Sequence, residues 1–151
     1  MYAITGITGK VGGAVARTLL DANLPVRAVV RDARKGEVWD AQGCEVVLAD
    51  IADRAALAAA FDGAEGVFVL IPPMFDPTPG FPEARSVSAS LKSVETTRPQ
   101  KVVCLSTIGA QAPQPNLLNN GTNPGNIAHS GRFSQGRVVH GKFCLGRGAS
   151  P

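Results

Sequence analysis

The chain has 151 residues, of which 44% are hydrophobic and 18% charged, a composition typical of one soluble domain with its own core. No apolar run approaches the roughly 18 residues that a membrane-spanning helix needs, which argues against a membrane protein. The three cysteines have neither paired nor metal-like spacing, so no metal site is predicted. Because Met1 leads directly into the first predicted strand and leaves no room for a signal peptide, we expect a cytoplasmic protein.

The net charge of +3 is unevenly distributed along the chain. Residues 1–119 contain eleven lysines and arginines against twelve acids, whereas residues 120–151 contain four basic residues and no acid. The basic excess therefore lies in the last fifth of the chain. A basic tail is compatible with a nucleic-acid-binding arm or with a disordered segment. Nucleic-acid binding is the less favoured interpretation, because the tail also fits a frameshifted translation.

The first twenty residues contain the motif around which the rest of the chain is organised. Residues 1–5 are strand-like, and a turn with glycines at Gly6, Gly9 and Gly12 follows. Apolar residues then recur at helical spacing from Val11 to Leu19. A strand, a glycine turn and a helix in this order indicate a loop that binds the pyrophosphate of a dinucleotide at the start of the helix. The alternative is a tight turn at an ordinary strand–helix junction.

Strands and helices alternate along the rest of the chain. The predicted strands are Leu24–Val30, Cys44–Ala49, Glu65–Ile71 and Lys101–Leu105, and the predicted helices are Arg34–Gln42, Arg54–Phe61 with Asp53 as its N-cap, and Glu83–Arg98 after the proline-rich loop Pro72–Pro82. This alternation predicts an α/β fold with a doubly wound parallel sheet in the strand order 3-2-1-4-5. Ligands of such sheets bind at the carboxyl ends of the strands.

The motif Thr5-Gly6-Ile7-Thr8-Gly9-Lys10-Val11-Gly12 resembles that of the extended and atypical short-chain dehydrogenase/reductase families, and most of all their NmrA-like group. The resemblance runs from Met1 to about Leu118 and also rests on V-R-A-V-V-R-D at Val26–Asp32, on Ala49-Asp50 and on Cys104–Ala110. The group includes NAD(P)H:quinone reductases and redox-sensing regulators that bind dinucleotides without turning them over. It implies a five-stranded, Rossmann-like NAD(P)-binding domain over residues 1–118 that is incomplete on its C-terminal side.

The residues after the second strand bear on the choice of cofactor. Arg31 and Lys35 supply a guanidinium and an ammonium that suit the 2′-phosphate of NADP, unless both are simply solvated. Asp32 is placed to bind the ribose hydroxyls of NAD if the strand ends one residue later. NADP(H) is therefore favoured over NAD(H). The full set of predicted cofactor-binding residues is Thr5, Gly6, Thr8, Gly9, Lys10, Val11, Gly12, Arg31, Lys35, Asp50, Ile51, Leu70, Ile71, Pro72, Ser106 and Thr107.

For the later members of this set, the roles are those that the resemblance implies. Asp50 and Ile51 would lie beside the adenine, although an Asp here also suits a cap or a turn. The run Leu70–Pro72 would pass near the nicotinamide ribose, although apolar residues here also suit the core. Ser106 and Thr107 follow the fifth strand, where short-chain dehydrogenases keep a serine that hydrogen-bonds the substrate.

No catalytic residue is predicted. Short-chain dehydrogenases use a Tyr-x-x-x-Lys pair as proton donor, but Tyr2 is the only tyrosine and has no lysine four residues later. NmrA-like proteins commonly lack this pair, because a hydride can pass directly from nicotinamide to a quinone or flavin. The resemblance thus implies an NAD(P)H-dependent oxidoreductase whose substrate is a quinone or similar small electron acceptor. The alternative is a redox-sensing regulator that acts through a protein partner.

The tail, residues 119–151, is irregular and rich in glycine and arginine. Back-translated from Asn120 with permitted codons and read one nucleotide later, it gives a sequence containing P-I-P-V-G-F-L-R and W-F-M-E-N. This is similar to the segment that the family places after the fifth strand. We therefore expect the tail to be a frameshifted translation, the chain to lack its substrate-binding part and to be inactive alone, and His129, His140 and Cys144 to have no ligand role.

Overall fold

The computed structural model describes residues 1–70 and 92–105, and the fold is given for these residues. The strands are β1 (Tyr2–Thr5), β2 (Val26–Val30), β3 (Glu45–Leu48), β4 (Gly66–Val69) and β5 (Lys101–Cys104), and the helices are α1 (Lys10–Asp21), α2 (Ala33–Asp40), α3 (Arg54–Phe61) and α4 (Ser93–Thr97). The predicted loop Pro72–Pro82, most of the predicted helix Glu83–Arg98 and the tail lie outside the described residues.

The five strands form one parallel sheet in the order β3-β2-β1-β4-β5, which confirms the predicted doubly wound topology. Successive strand residues face opposite sides of a sheet. Ala3 and Val67 accordingly pack with α3 and α4, while Ile4 and Phe68 pack with α1 and α2. Every residue of β4 is buried, as expected for a strand that is covered on both faces.

Aspartates cap the two middle helices. The Asp53 carboxylate accepts hydrogen bonds from the N–H groups of Ala55 and Ala56, and α3 has the predicted bounds. Asp32 caps α2 in the same way, so this helix begins at Ala33, one residue before the predicted start, and ends at Asp40. Glycines with positive φ follow both helices, +83° at Gly43 and +66° at Gly63, which is the conformation that ends a helix at low cost.

The second strand begins two residues later than predicted, at Val26 rather than Leu24. Asn23 adopts a φ of 56°, and the N–H groups of Asn23 and Leu24 donate to the carbonyls of Leu20 and Leu19. Leu24 thus belongs to the turn that closes the end of α1. Pro25 has no N–H group and joins the sheet only through its carbonyl, which accepts from Tyr2 N at 2.8 Å.

A row of side chains ties three strands together at the amino edge of the sheet. Tyr2, Gly66 and Lys101 are neighbours in register, and the Tyr2 ring lies over Gly66, where an added Cβ would be 2.8 Å from it. The Tyr2 hydroxyl donates to Glu65 Oε1 at 2.8 Å, and Lys101 Nζ donates to both. The hydrogen bond between Lys101 and Glu65 lowers the pKa of Glu65 and raises that of Lys101.

None of the helices within residues 1–70 and 92–105 combines the length and the apolar character that crossing a membrane requires.

Candidate functional site

The carboxyl edge of the sheet brings the predicted site residues together. The glycine loop Gly6–Gly12 follows β1, and Arg31, Asp50 and Leu70 follow β2, β3 and β4. The strand order reverses between β1 and β4, and this is the point at which doubly wound sheets open a crevice for a ligand. Ile71, Pro72, Ser106 and Thr107 lie outside the described residues.

The glycine loop is too tightly folded to accommodate side chains at two positions. Gly6 has a φ of +64°, and its carbonyl accepts a hydrogen bond from Gly9 N at 3.0 Å. A Cβ on Gly12 would lie 2.3 Å from Gly6 O and 2.9 Å from Ile7 N. Gly12 therefore allows the first turn of α1 to cross directly over the end of β1. The Ile7 side chain is fully buried in the core, while Thr8 remains exposed.

The start of α1 has no cap of its own. The N-cap residue is Gly9, which has no side chain to accept a hydrogen bond, and the first turn contains no acid. Within the described part of the chain, no acceptor meets the N–H groups of Lys10, Val11 and Gly12; the first bonded N–H group is that of Gly13. α2 and α3 each have an aspartate carboxylate at the start, whereas α1 has neither a capping side chain nor an acid to offset the partial positive charge of its first turn. Such a helix start suits an anion.

Thr5 uses its side chain within the protein. Its hydroxyl donates to Phe68 O at 3.2 Å and accepts from Leu70 N at 2.8 Å, and the residue is 4% exposed. The Leu70 side chain in turn packs against Gly6, whose added Cβ would lie 3.1 Å from Leu70 Cβ. The Thr5 hydroxyl thus joins the glycine loop to the segment that leaves β4. Contact of Thr5 with a cofactor remains a prediction.

Replacing Thr5 by valine is expected to lower the free energy of unfolding by about 1–3 kcal/mol, because valine fills the same space but leaves the Leu70 N–H group without an acceptor. Thr5→Ser keeps the hydroxyl and should lose about 1 kcal/mol or less, the contribution of one buried methyl group. Urea unfolding of the two variants measures the difference. If Thr5→Val and Thr5→Ser lower the free energy of unfolding equally, the hydroxyl has no structural role.

A group of cations lies at the start of α2. Arg31, Arg34 and Lys35 are exposed, and none of them forms an ion pair with another described residue. The carboxylate of Asp32 accepts a hydrogen bond from Arg34 N at 3.0 Å, so it caps its own helix. Arg34 is not among the predicted cofactor-binding residues, although the charge density of the run R-D-A-R-K at residues 31–35 marks its position.

The residues after β3 form a local turn. Asp50 Oδ1 accepts a hydrogen bond from Ala52 N at 2.8 Å, and Asp50 O accepts one from Asp53 N at 2.9 Å. This is the turn-forming role that the sequence left open, and it leads directly into the capped start of α3. Ile51 is partly buried against the core on that side of the sheet. Contacts of Asp50 and Ile51 with an adenine remain predictions.

The described cysteines are not reactive groups. Cys44 is buried and Cys104 is half-buried at the end of β5, and both are free thiols. Burial raises the pKa of Cys44 and raises that of Cys104 to about 11, so both thiols are protonated at neutral pH. Residues 1–70 and 92–105 contain no group of three His, Cys, Asp or Glu side chains that would hold a metal ion.

Comparisons with known proteins agree with this geometry. A family model described as NAD(P)H-binding matches residues 6–131, beyond the predicted domain boundary at residue 118. The chain is 34% identical over 116 residues to the NAD(P)H azoreductase of Xenophilus azovorans, a match that covers 76% of this chain and 38% of that protein. It is 41% identical over 72 residues to the NmrA-like family domain-containing oxidoreductase himF of Aspergillus japonicus, covering 46% and 22%.

A solved structure is similar over most of the chain. The NADPH-dependent quinone oxidoreductase QOR2 of Escherichia coli, complexed with NADPH, matches with a TM-score of 0.65 and 28% identity, covering 87% of this chain and 46% of that one. The chain thus spans less than half the length of each of these three proteins. The similarities confirm the NmrA-like resemblance and the Rossmann-like fold. All three proteins are named as reductases or oxidoreductases.

Proposed function

Because the chain belongs to the NAD(P)H-binding family, we propose that it is the dinucleotide-binding part of an oxidoreductase that transfers hydride to a quinone or similar small acceptor. The observation that carries the proposal is the uncapped start of α1, with three N–H groups that meet no acceptor among the described residues. A pyrophosphate supplies the missing acceptors and the missing negative charge. The exposed positions of Thr8, Gly9 and Lys10 leave this helix start accessible.

The cations at the start of α2 support NADP(H) as the cofactor. Arg31, Arg34 and Lys35 follow β2, the strand beside β1, and are available to a phosphate on the adenosine ribose. Asp32, the acid that would favour the ribose hydroxyls of NAD, has a carboxylate oxygen engaged by Arg34 N. Charge and hydrogen bonding at this position both support the 2′-phosphate.

The reduced nicotinamide, when bound, supplies the hydride. The chain's own contribution is to orient the cofactor at the β1–β4 crevice, and no residue of the described part is proposed as a proton donor. Tyr2 lies at the amino edge of the sheet, where its hydroxyl is engaged by Glu65 and Lys101. A quinone or azo acceptor is proposed from the names of the relatives, and the cytoplasm is the proposed compartment.

The experiment that tests cofactor binding is a titration of this chain with NADPH and NADH, followed through the fluorescence of Trp39, the single tryptophan. We expect NADPH to bind about tenfold more tightly than NADH, the equivalent of ~1.4 kcal/mol from the phosphate contacts. Failure of both nucleotides to bind at millimolar concentration would contradict the proposal. Equal affinities for NADPH and NADH would support dinucleotide binding and contradict the preference for NADP(H).

Hydride transfer is tested on the protein with its reading frame restored. We propose a frameshift near Asn119, and resequencing the gene across codons 118–121 from independent template should reveal one inserted or deleted base. The restored protein is expected to oxidise NADPH when a quinone is present. A well-folded restored protein that binds NADPH, binds NADP⁺ equally well and shows no turnover would contradict the oxidoreductase and support the regulator instead.

A further inference from the structure

The first turn of α2 is electrostatically unusual. Arg31, Arg34 and Lys35 place three cations at a helix start, where the helix dipole disfavours positive charge. Other titratable groups near this turn are Asp32 and, further along the helix, Glu37 and Asp40, and none of them forms an ion pair with these cations within the described residues. Asp32 instead accepts hydrogen bonds from the backbone N–H groups of its own helix. Its carboxylate accepts from Arg34 N at 3.0 Å and its carbonyl from Lys35 N at 3.1 Å.

The same turn is held closely against the sheet. Gly36 is buried, and a Cβ at this position would lie 2.5 Å from Val46 Cγ1 and 3.3 Å from Val30 Cγ2. Three residues later, Trp39 is 5% exposed, and the Arg17 guanidinium lies 5.8 Å from the centre of its ring. Asp32 therefore fixes the start of a helix whose next turn is already fixed by packing.

We propose that Asp32 is a positioning residue for cofactor selectivity: its carboxylate caps α2, holds the turn that presents Arg31, Arg34 and Lys35 to the 2′-phosphate, and does not bind ribose. This inference rests on the proposed function. It also gives Asp32 two opposite effects on NADPH affinity. The hydrogen bond to Arg34 N orders the cations and strengthens binding, while the negative charge repels the phosphate and weakens binding.

Three substitutions separate these effects. Asp32→Asn and Asp32→Ser keep a capping oxygen without the charge, whereas Asp32→Ala removes both. We expect the Asn and Ser variants to bind NADPH at least as tightly as the unmodified chain. The Ala variant should bind NADPH about fivefold more weakly than the Asn variant, or ~1 kcal/mol, because without the cap the turn that presents the cations must be ordered when the phosphate binds. The affinity for NADH should be the same in all four proteins, because NADH has no 2′-phosphate.

Two outcomes would overturn the inference. If Asn, Ser and Ala all weaken NADH binding, the carboxylate binds the ribose hydroxyls. If Ala weakens NADPH and NADH by the same factor, the cap serves stability alone. A further titration distinguishes failure of this inference from failure of the proposed function. Adenosine 2′,5′-bisphosphate and 5′-AMP are titrated against the unmodified chain, and binding is followed through Trp39 fluorescence. Binding of the bisphosphate with no difference between the Asn and Ala variants rejects the role of Asp32, whereas no binding of either nucleotide or of NADPH to the unmodified chain rejects the proposed function itself.

Discussion

Replacing Gly12 by alanine is expected to weaken NADPH binding at least about a hundredfold, or ~2.8 kcal/mol. The added methyl group would lie 2.3 Å from Gly6 O, 2.6 Å from Gly6 C and 2.9 Å from Ile7 N. All three atoms belong to the backbone, so no side chain can rotate away to make room. The start of α1 must then move off the end of β1, which displaces the N–H groups of Lys10 and Val11 from the pyrophosphate. Overpacking at this contact should also cost about 1–3 kcal/mol of stability.

Gly63→Ala is the matched control for loss of stability without damage to the site. Gly63 has a φ of +66° and nothing within 4 Å of an added Cβ, so alanine there is strained without a collision. The strain should cost about 1–2 kcal/mol. Gly63 lies between α3 and β4, at the amino edge of the sheet, and NADPH affinity should be unchanged. Urea unfolding and NADPH titration are measured on both variants. If Gly12→Ala binds NADPH within a few-fold of the unmodified chain, the start of α1 is not the pyrophosphate site.

The features that the sequence predicted correctly have local causes. The strand order 3-2-1-4-5 follows from short alternating strands and helices, because the handedness of parallel connections leaves few other arrangements. The bounds of α3 were correct because its start at Asp53 and its end near Gly63 are both marked by the residues themselves. The tight turn of the glycine loop could also be predicted, because the positive φ of Gly6 and the close contact between Gly12 and Gly6 involve residues only six apart.

The features that the sequence left open depend on partners far along the chain or on local competition. The Thr5 hydroxyl forms hydrogen bonds with backbone atoms of Phe68 and Leu70. No local sequence pattern around Thr5 predicts partners more than sixty residues away. Asp32 is compatible both with a ribose ligand and with a helix cap, and only the start of α2 at Ala33 shows that its carboxylate reaches Arg34 N. The predicted start of β2 was wrong because Leu24 bonds back to the end of α1 instead of pairing with β1. Predicted contacts of Ile71, Pro72, Ser106 and Thr107 stay predictions.

Arg27 is the clearest case of a long-range role that the sequence conceals. Its side chain is 14% exposed and its Nε and Nη2 atoms donate to the two carboxylate oxygens of Glu45 at 3.0 and 3.3 Å. Its Nη1 donates to the carbonyls of Ala60 and Asp62 at 2.9 and 2.7 Å. These carbonyls lie at the end of α3, where a cation is also favoured by the helix dipole. One guanidinium thus links β2, β3 and α3.

Arg27→Met is therefore expected to lower the free energy of unfolding by about 2–4 kcal/mol, since it keeps the aliphatic stem but leaves the α3 carbonyls without their donor. Glu45→Gln tests the ion pair alone. Because Glu45 is 45% exposed, that loss should be about 1 kcal/mol or less. Urea unfolding measures both, and NADPH affinity should change in neither, since Arg27 lies near the amino end of β2. Equal losses for the two variants would assign the stabilisation to the ion pair; the expected excess for Arg27→Met assigns it to the capped end of α3.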